Sequence, residues 1–389
     1  MNRAPVLLGD TKFVKTMTMV GGAAAVLGVA LSLASAFADY DRFLFGYLTA
    51  FVFFAGIAVT GVFFSMLQFL VRAGWSVSIR RIPELIGGFT PLLLIFVLPI
   101  VFGVGVLYHH WVHPEPGDVV LQGKAAWLNV PFFTTRLFVY IAIWIGMYFL
   151  IVGNSFRQDK RADIGPTRMN WKLSAPVTIF FGVTITFAAF DMLMSLYPHW
   201  FSTIFGVYYF AGSLVGTLAV ITIIAVLLKK AGLMTEWLTP ERFHDLGKFL
   251  FAFNVFWAYI AFSQYLLIWY ADLPEEIVFF KYRTNHGWEY VSILLLVFHF
   301  IVPFILLLSQ DAKRNLNVLL SGAVLLLAAH FLDMYWLVMP NYNHDAVVLG
   351  WNEFAPLLGL GGFFILVTAW QFRKRSAVAV NDPYLAESV

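Results

Sequence analysis

"LSAPVTIFFGVTITFAAFDMLMSLYP" (173–198) opens with eighteen residues, Leu173 to Phe190, that include no Asp, Glu, Lys or Arg. An apolar run of that length is what a helix needs to cross a bilayer. An aspartate, Asp191, follows at once. A carboxylate in the hydrocarbon is costly, and such residues turn inward to a protein partner or a wet cavity. The stretch therefore predicts a helix with one face on lipid and another on neighbouring helices that answer the acid.

The rest of the 389-residue chain is of the same kind. Hydrophobic residues make up 60% and charged residues 12%, with a mean hydropathy of +0.79. A soluble domain carries about 25% charged residues, so this chain lacks the polar surface to stay in water. The predicted fold is an all-α polytopic membrane protein. With no cysteine, disulfides, thiol chemistry and iron–sulfur ligation by this chain are excluded. The first apolar stretch, Thr16 to Ala38, is too long for the core of a cleaved signal and is expected to remain as a span.

Apolar runs between charged or Pro/Gly-rich breaks give ten spans, near 16–38, 44–71, 85–108, 132–153, 173–196, 204–228, 244–270, 288–309, 315–339 and 354–372. Only "YPHWFST" separates the fifth from the sixth, and Pro198 marks a turn there. Twenty of the 25 Lys and Arg residues fall on one side, Arg3 and Arg161 among them; Arg42, Lys124, Arg136, Lys281 and Arg283 fall on the other. The positive-inside rule then puts both termini in the cytoplasm and Asp191 in the outer half of the bilayer.

A repeat is visible at an offset of four spans. "FFAG" (53–56) matches "YFAG" (209–212), "ELIGGF" (84–89) matches "HDLGKF" (244–249), and "DMLMSLYP" (191–198) matches "DMYWLVMP" (333–340). An even offset preserves orientation, so the repeat is parallel. It predicts two parallel four-helix bundles, 44–203 and 204–350, flanked by peripheral helices in 1–43 and 351–389. Asp333 becomes the counterpart of Asp191.

Other polar residues fall inside the spans. His330 precedes Asp333 by three residues and shares its helical face. His299 lies mid-span, four residues before Pro303, whose missing N–H frees a carbonyl. His244, Asp245 and Lys248 open the seventh span, which carries Asn254, Ser263 and Gln264 further along. Arg136, Lys248 and Glu353 lie near helix ends, where interhelical pairs and snorkelling anchors are common. Asp191, His299, His330 and Asp333 lie deeper. Carboxylates and imidazoles held there can exchange protons near neutral pH, so these four are the candidate proton path, with His244, Asp245 and Lys248 at its cytoplasmic mouth. His299 and His330 are also the minimum for a haem, but the large side chains around them argue against one. His109, His110 and His113 lack an acid or cysteine at metal-ligand spacing, so no metal site is predicted. Walker, dinucleotide-binding and nucleophile-elbow motifs are absent. The basic residues follow topology rather than forming a nucleic-acid patch.

The segments "FDMLMSLYPHWFSTIFGVYYFAGSL" (190–214) and "FHDLGKFLFAFNVFWAYIAFSQYLLIWYADLPEE" (243–276) resemble the ActF-type membrane subunit, NrfD/PsrC-like, of bacterial alternative complex III, a quinol:cytochrome c oxidoreductase. The ten-span layout and length fit that family end to end. The resemblance implies a multi-pass subunit of the bacterial inner membrane, beside a homologous NrfD-like subunit. A periplasmic iron–sulfur protein and multihaem cytochrome c subunits would carry the iron–sulfur clusters and haem c. It implies a structural and proton-conducting role, no catalysis by this chain, and leaves a quinone site open. Trp269 and Tyr270 read as part of the outer aromatic belt. Two alternatives stand: a quinol-binding subunit, or a free-standing proton-coupled transporter. The latter would want broken half-helices at mid-membrane, for which "GGF" (87–89) and "LLGLGGFF" (357–364) are the nearest candidates.

Overall fold

The computed structural model describes residues 4–160 and 163–388; Arg3 and Arg161, both counted above for orientation, lie outside them. The chain is 79% helical, and no strand occurs among the described residues. Ten helices are long and apolar enough to cross a membrane: α1 Lys12–Ala38, α2 Tyr40–Leu70, α3 Gly74–Phe102, α4 Val130–Gln158, α5 Gly165–Leu196, α6 Phe205–Lys230, α7 Pro240–Ala271, α8 Trp288–Leu306, α9 Leu316–Asn341 and α10 Trp351–Lys374. This is an all-α multi-pass membrane protein. Helix α2 begins four residues before the expected boundary at 44, and a turn follows Leu196, as Pro198 suggested.

Helices α2–α5 form one ring that closes back on α2, and α6–α9 form a second that closes on α6. The rings meet along α2 and α6, with α2 also touching α9 and α6 touching α5. That pairing of contacts is what a two-fold axis between α2 and α6 would give, the arrangement the repeat in the sequence predicts. The two central helices have 89% and 83% of their most apolar windows buried. They are apolar all round because protein surrounds them. Small residues set the seam: a Cβ on Gly56 would lie 2.3 Å from the Ser213 hydroxyl.

Helices α1 and α10 pair antiparallel outside the rings. Gly21 faces Gly362 and Leu366, Gly28 faces Gly359, and a Cβ on Gly28 would lie 2.1 Å from the Gly359 nitrogen. Such contacts let two backbones touch where burial of apolar surface gives no drive. The "LLGLGGFF" glycines therefore belong to an unbroken α10 and serve packing, not a half-helix. "GGF" at 87–89 does sit in a break. Helix α3 narrows to a 3-10 stretch over Gly87–Leu92, where Pro91 interrupts the backbone ladder.

Two readings change at the end of the first ring where α3 begins. Helix α3 starts at Gly74, not 85, so Arg80, Arg81 and Glu84 are buried protein groups rather than loop charges. Arg81 pairs with Glu84 and Asp159, each at 2.7 Å, and Arg80 with Asp382 at 2.5 Å. The tail after Arg375 is bound to its own chain. Ala377 donates to the Val6 carbonyl (2.8 Å), and the Asn381 amide donates to the Asp159 carbonyl (2.8 Å). Both terminal segments thus meet on one side of the molecule.

Candidate functional site

The two equivalent aspartates are buried among helices, but their surroundings differ. Asp191 ends α5 against α4 and the loop before it. Arg136 grips it with both prongs, Nε to Oδ2 and Nη2 to Oδ1, each at 2.8 Å. Tyr140 donates to Oδ2 (2.8 Å) and Trp127 to Oδ1 (3.0 Å). The guanidinium lies over the Trp127 and Phe132 rings, 4.1 and 4.3 Å from their centroids, and its remaining Nη1 donates to the Trp127 carbonyl (2.8 Å). A bidentate cation and two further donors satisfy both oxygens of this carboxylate and fix its position. Asp191 is locked.

Asp333 on α9 has the same burial and no cation. The Tyr208 hydroxyl donates to Oδ1 and the Trp257 indole to Oδ2 (3.1 Å). The buried arginine that packs against the end of α9, Arg283 before α8, spends its donors on the carbonyls of Phe279, Trp336 and Leu337 at 2.8, 3.1 and 2.9 Å. Burial without a carboxylate pulls that guanidinium down to about 9, still protonated at neutral pH. It caps the end of α9 and leaves Asp333 alone.

Two imidazoles stand where a cation would. His299, His330 and Asp333 are all buried, and a nitrogen of each ring and a carboxylate oxygen lie within 4.8 Å of one another. His299 sits in a π-helical turn, Leu296–Ile301. Pro303 has no N–H to return to the His299 carbonyl, and a widened turn absorbs the loss. Helix α4 has a matching π turn at Tyr148–Val152. The Trp257 ring stacks on His299 at 3.6 Å, and His299 Nδ1 meets the Asn254 carbonyl oxygen at 3.3 Å. That contact makes Nδ1 the donor and leaves Nε2 as a free acceptor.

His330 is held by shape. A Cβ on Gly216 would lie 2.5 Å from its Cδ2, and one on Gly212 would lie 3.2 Å from both His330 Nδ1 and Asp333 Oδ2. The two glycines, one turn apart, make the slot on α6 that admits the ring, and Phe53 covers it at 5.2 Å. Neither nitrogen of His330 has a protein partner, nor does His299 Nε2. Buried polar atoms are nearly always bonded, so three open imidazole nitrogens beside an uncompensated acid mark a place that exchanges something. Two imidazoles and a carboxylate could by composition hold a metal. Each Asp333 oxygen already accepts one hydrogen bond, and Trp257 covers one face of His299.

The remaining candidates lie elsewhere. Asp245 bridges Arg242 (3.1 Å) and Lys248 (2.7 Å) on the first turns of α7, beside His244. Twelve residues, about 18 Å of helix, separate Asp245 from Trp257, with Asn254 between. Glu353 of α10 pairs with Arg42 of α2 at 2.7 Å, an interhelical pair as expected. Of the loop histidines, His109 lies beside His113, while Asp118, one of that loop's two acids, bonds His199 at 2.6 Å. Tyr208 and Trp257 were missed in the sequence, because in a chain with 18% aromatic residues nothing marks the two that face Asp333; Arg283 was read only for its side of the membrane. No family model matches the chain, and a search of curated proteins likewise gives no match.

Proposed function

We propose that this chain is a non-catalytic, proton-carrying membrane subunit of a quinol:cytochrome c oxidoreductase of the alternative complex III type. The resemblance of 190–214 and 243–276 supports the family. The observation that carries the proton role is Asp333, buried without a cation beside three unpartnered imidazole nitrogens. A carboxyl so placed can be neutral or charged, and open imidazole nitrogens lie within 4.8 Å of it. Asn254 and the His244, Asp245 and Lys248 group extend polar character along α7 toward one membrane face, read as the cytoplasmic mouth. In this reading both termini are cytoplasmic, in a bacterial inner membrane. Haem c and iron–sulfur clusters reside in the periplasmic partners, and a homologous NrfD-like subunit lies alongside. Asp191, already neutralised by Arg136, is structural.

The test uses the complex purified from membranes through a tag on this chain. Asp333→Asn is expected to lower proton movement at least tenfold while cytochrome c reduction by quinol persists. Unchanged proton movement would remove the role assigned to Asp333. A chain that purifies without c-type haem would remove the complex itself.

A further inference from the structure

A large cavity has no part in that reading. It occupies about 1370 Å³ between the α1–α10 pair and the seam of α2, α6 and α9. Ordinary small-molecule sites run to about 300–1,000 Å³, so this space is too large for them. Along α10 it extends from Thr368 to Phe354, fourteen residues or about 21 Å, more than one leaflet of a hydrocarbon core about 30 Å thick.

Its wall offers almost nothing polar. The hydroxyls of Thr11, Tyr335 and Thr368 are spent on the carbonyls of Leu8 (2.6 Å), Val348 (2.5 Å) and Phe364 (2.8 Å). The exception is one end, where Lys12, the only charged residue of the lining, is exposed, with Thr16 one turn further on the same helix face. Lys229 and Lys230 precede the lining residue Ala231, and Arg373 lies against the chain just before α1. The cavity is thus a long apolar slot with a basic rim at one mouth.

We propose that it holds one anionic phospholipid, acyl chains along α10 and the phosphate at Lys12 and Thr16. A quinone would need hydrogen-bond donors for its carbonyls deep in the slot, and the wall has none to spare. A lipid phosphate needs its partners only at the rim, where the basic residues are.

Lipid extracted from the detergent-purified full chain and quantified by mass spectrometry tests this. One phosphatidylglycerol or cardiolipin per chain should survive a wash that removes bulk lipid. Lys12→Glu, a surface change that leaves packing intact, should reduce the retained anionic lipid at least fivefold, since each rim cation is worth about 1 kcal/mol of anionic-surface attraction. Ala328→Trp should fill the slot and expel it, with a monodisperse elution profile as the check on folding. Retention of a quinone, of a neutral lipid indifferent to Lys12, or of no lipid above the Ala328→Trp variant would overturn the proposal, as would a partner helix found in the slot. Proton movement plays no part in this measurement, so it stands or falls apart from the role of Asp333.

Discussion

Asp191 and Asp333 sit at matching places in two copies of one unit, and the donors around each decide what substitution does. Asparagine at 191 would leave the buried Arg136 guanidinium without its anion. Removing one partner of a buried ion pair costs about 3–5 kcal/mol, so Asp191→Asn should lower the thermal midpoint in detergent sharply and reduce yield. Asparagine at 333 strands no charge. Its amide oxygen can accept from Trp257, and the Tyr208 hydroxyl can turn to accept from its amide nitrogen. Asp333→Asn should therefore cost about 1 kcal/mol and fold normally while losing proton movement. Equal destabilisation of the two variants would show that the environments are energetically alike. His330→Phe belongs with the second case, because a ring of similar size fills the slot between Gly216 and Phe53. It should preserve stability and abolish the proton function.

At the scale of the element, the site is a property of helices that approach unusually closely. Gly216 gives α6 the slot for the His330 ring, and a methyl there would lie 2.5 Å from it. Gly216→Ala should cost about 1–3 kcal/mol by overpacking and displace the imidazole. Proton movement should then fall although every titratable group remains. Normal movement in a folded Gly216→Ala protein would show that the ring's position is not critical. Elements of this kind were only partly legible in the sequence. Ten spans could be read because lipid-facing helices must be long and apolar. The start of α3 could not, since Arg80, Arg81 and Glu84 look like loop charges until their partners are known. The glycines of α10 invited the thought of a broken helix, yet their role is set by α1, more than 300 residues away in the chain.

Seen whole, the molecule is a symmetric frame with unlike contents. Both rings have the same order of helices, a π turn in the third helix of each, and an aspartate near the end of the fourth. The repeat in the sequence pointed to the paired acids but could not tell that one is locked and the other open. The difference lies in Arg136, Arg283 and the imidazoles, brought together from separate helices and loops. The ring with the locked acid is also fastened at its other end by the tail, and that closure can be tested. Arg80 and Asp382 are both nearly fully buried and meet at 2.5 Å, while Arg80 stands 3.4 Å from Glu84 and over the Phe69 ring at 4.1 Å. Asp382→Ala would leave Arg80 with only the longer contact, at a cost of about 3 kcal/mol. Arg80→Met with Asp382→Ala removes both charges and sets an apolar chain against Phe69, while Glu84 keeps Arg81 at 2.7 Å. If uncompensated charge is the cost, the double variant should recover to within about 1 kcal/mol of the parent, because apolar replacements of buried pairs are often neutral. A double variant no more stable than Asp382→Ala alone would mean that the tail is held through its hydrogen bonds to the Val6 and Asp159 carbonyls, and that the ion pair adds little to the closure.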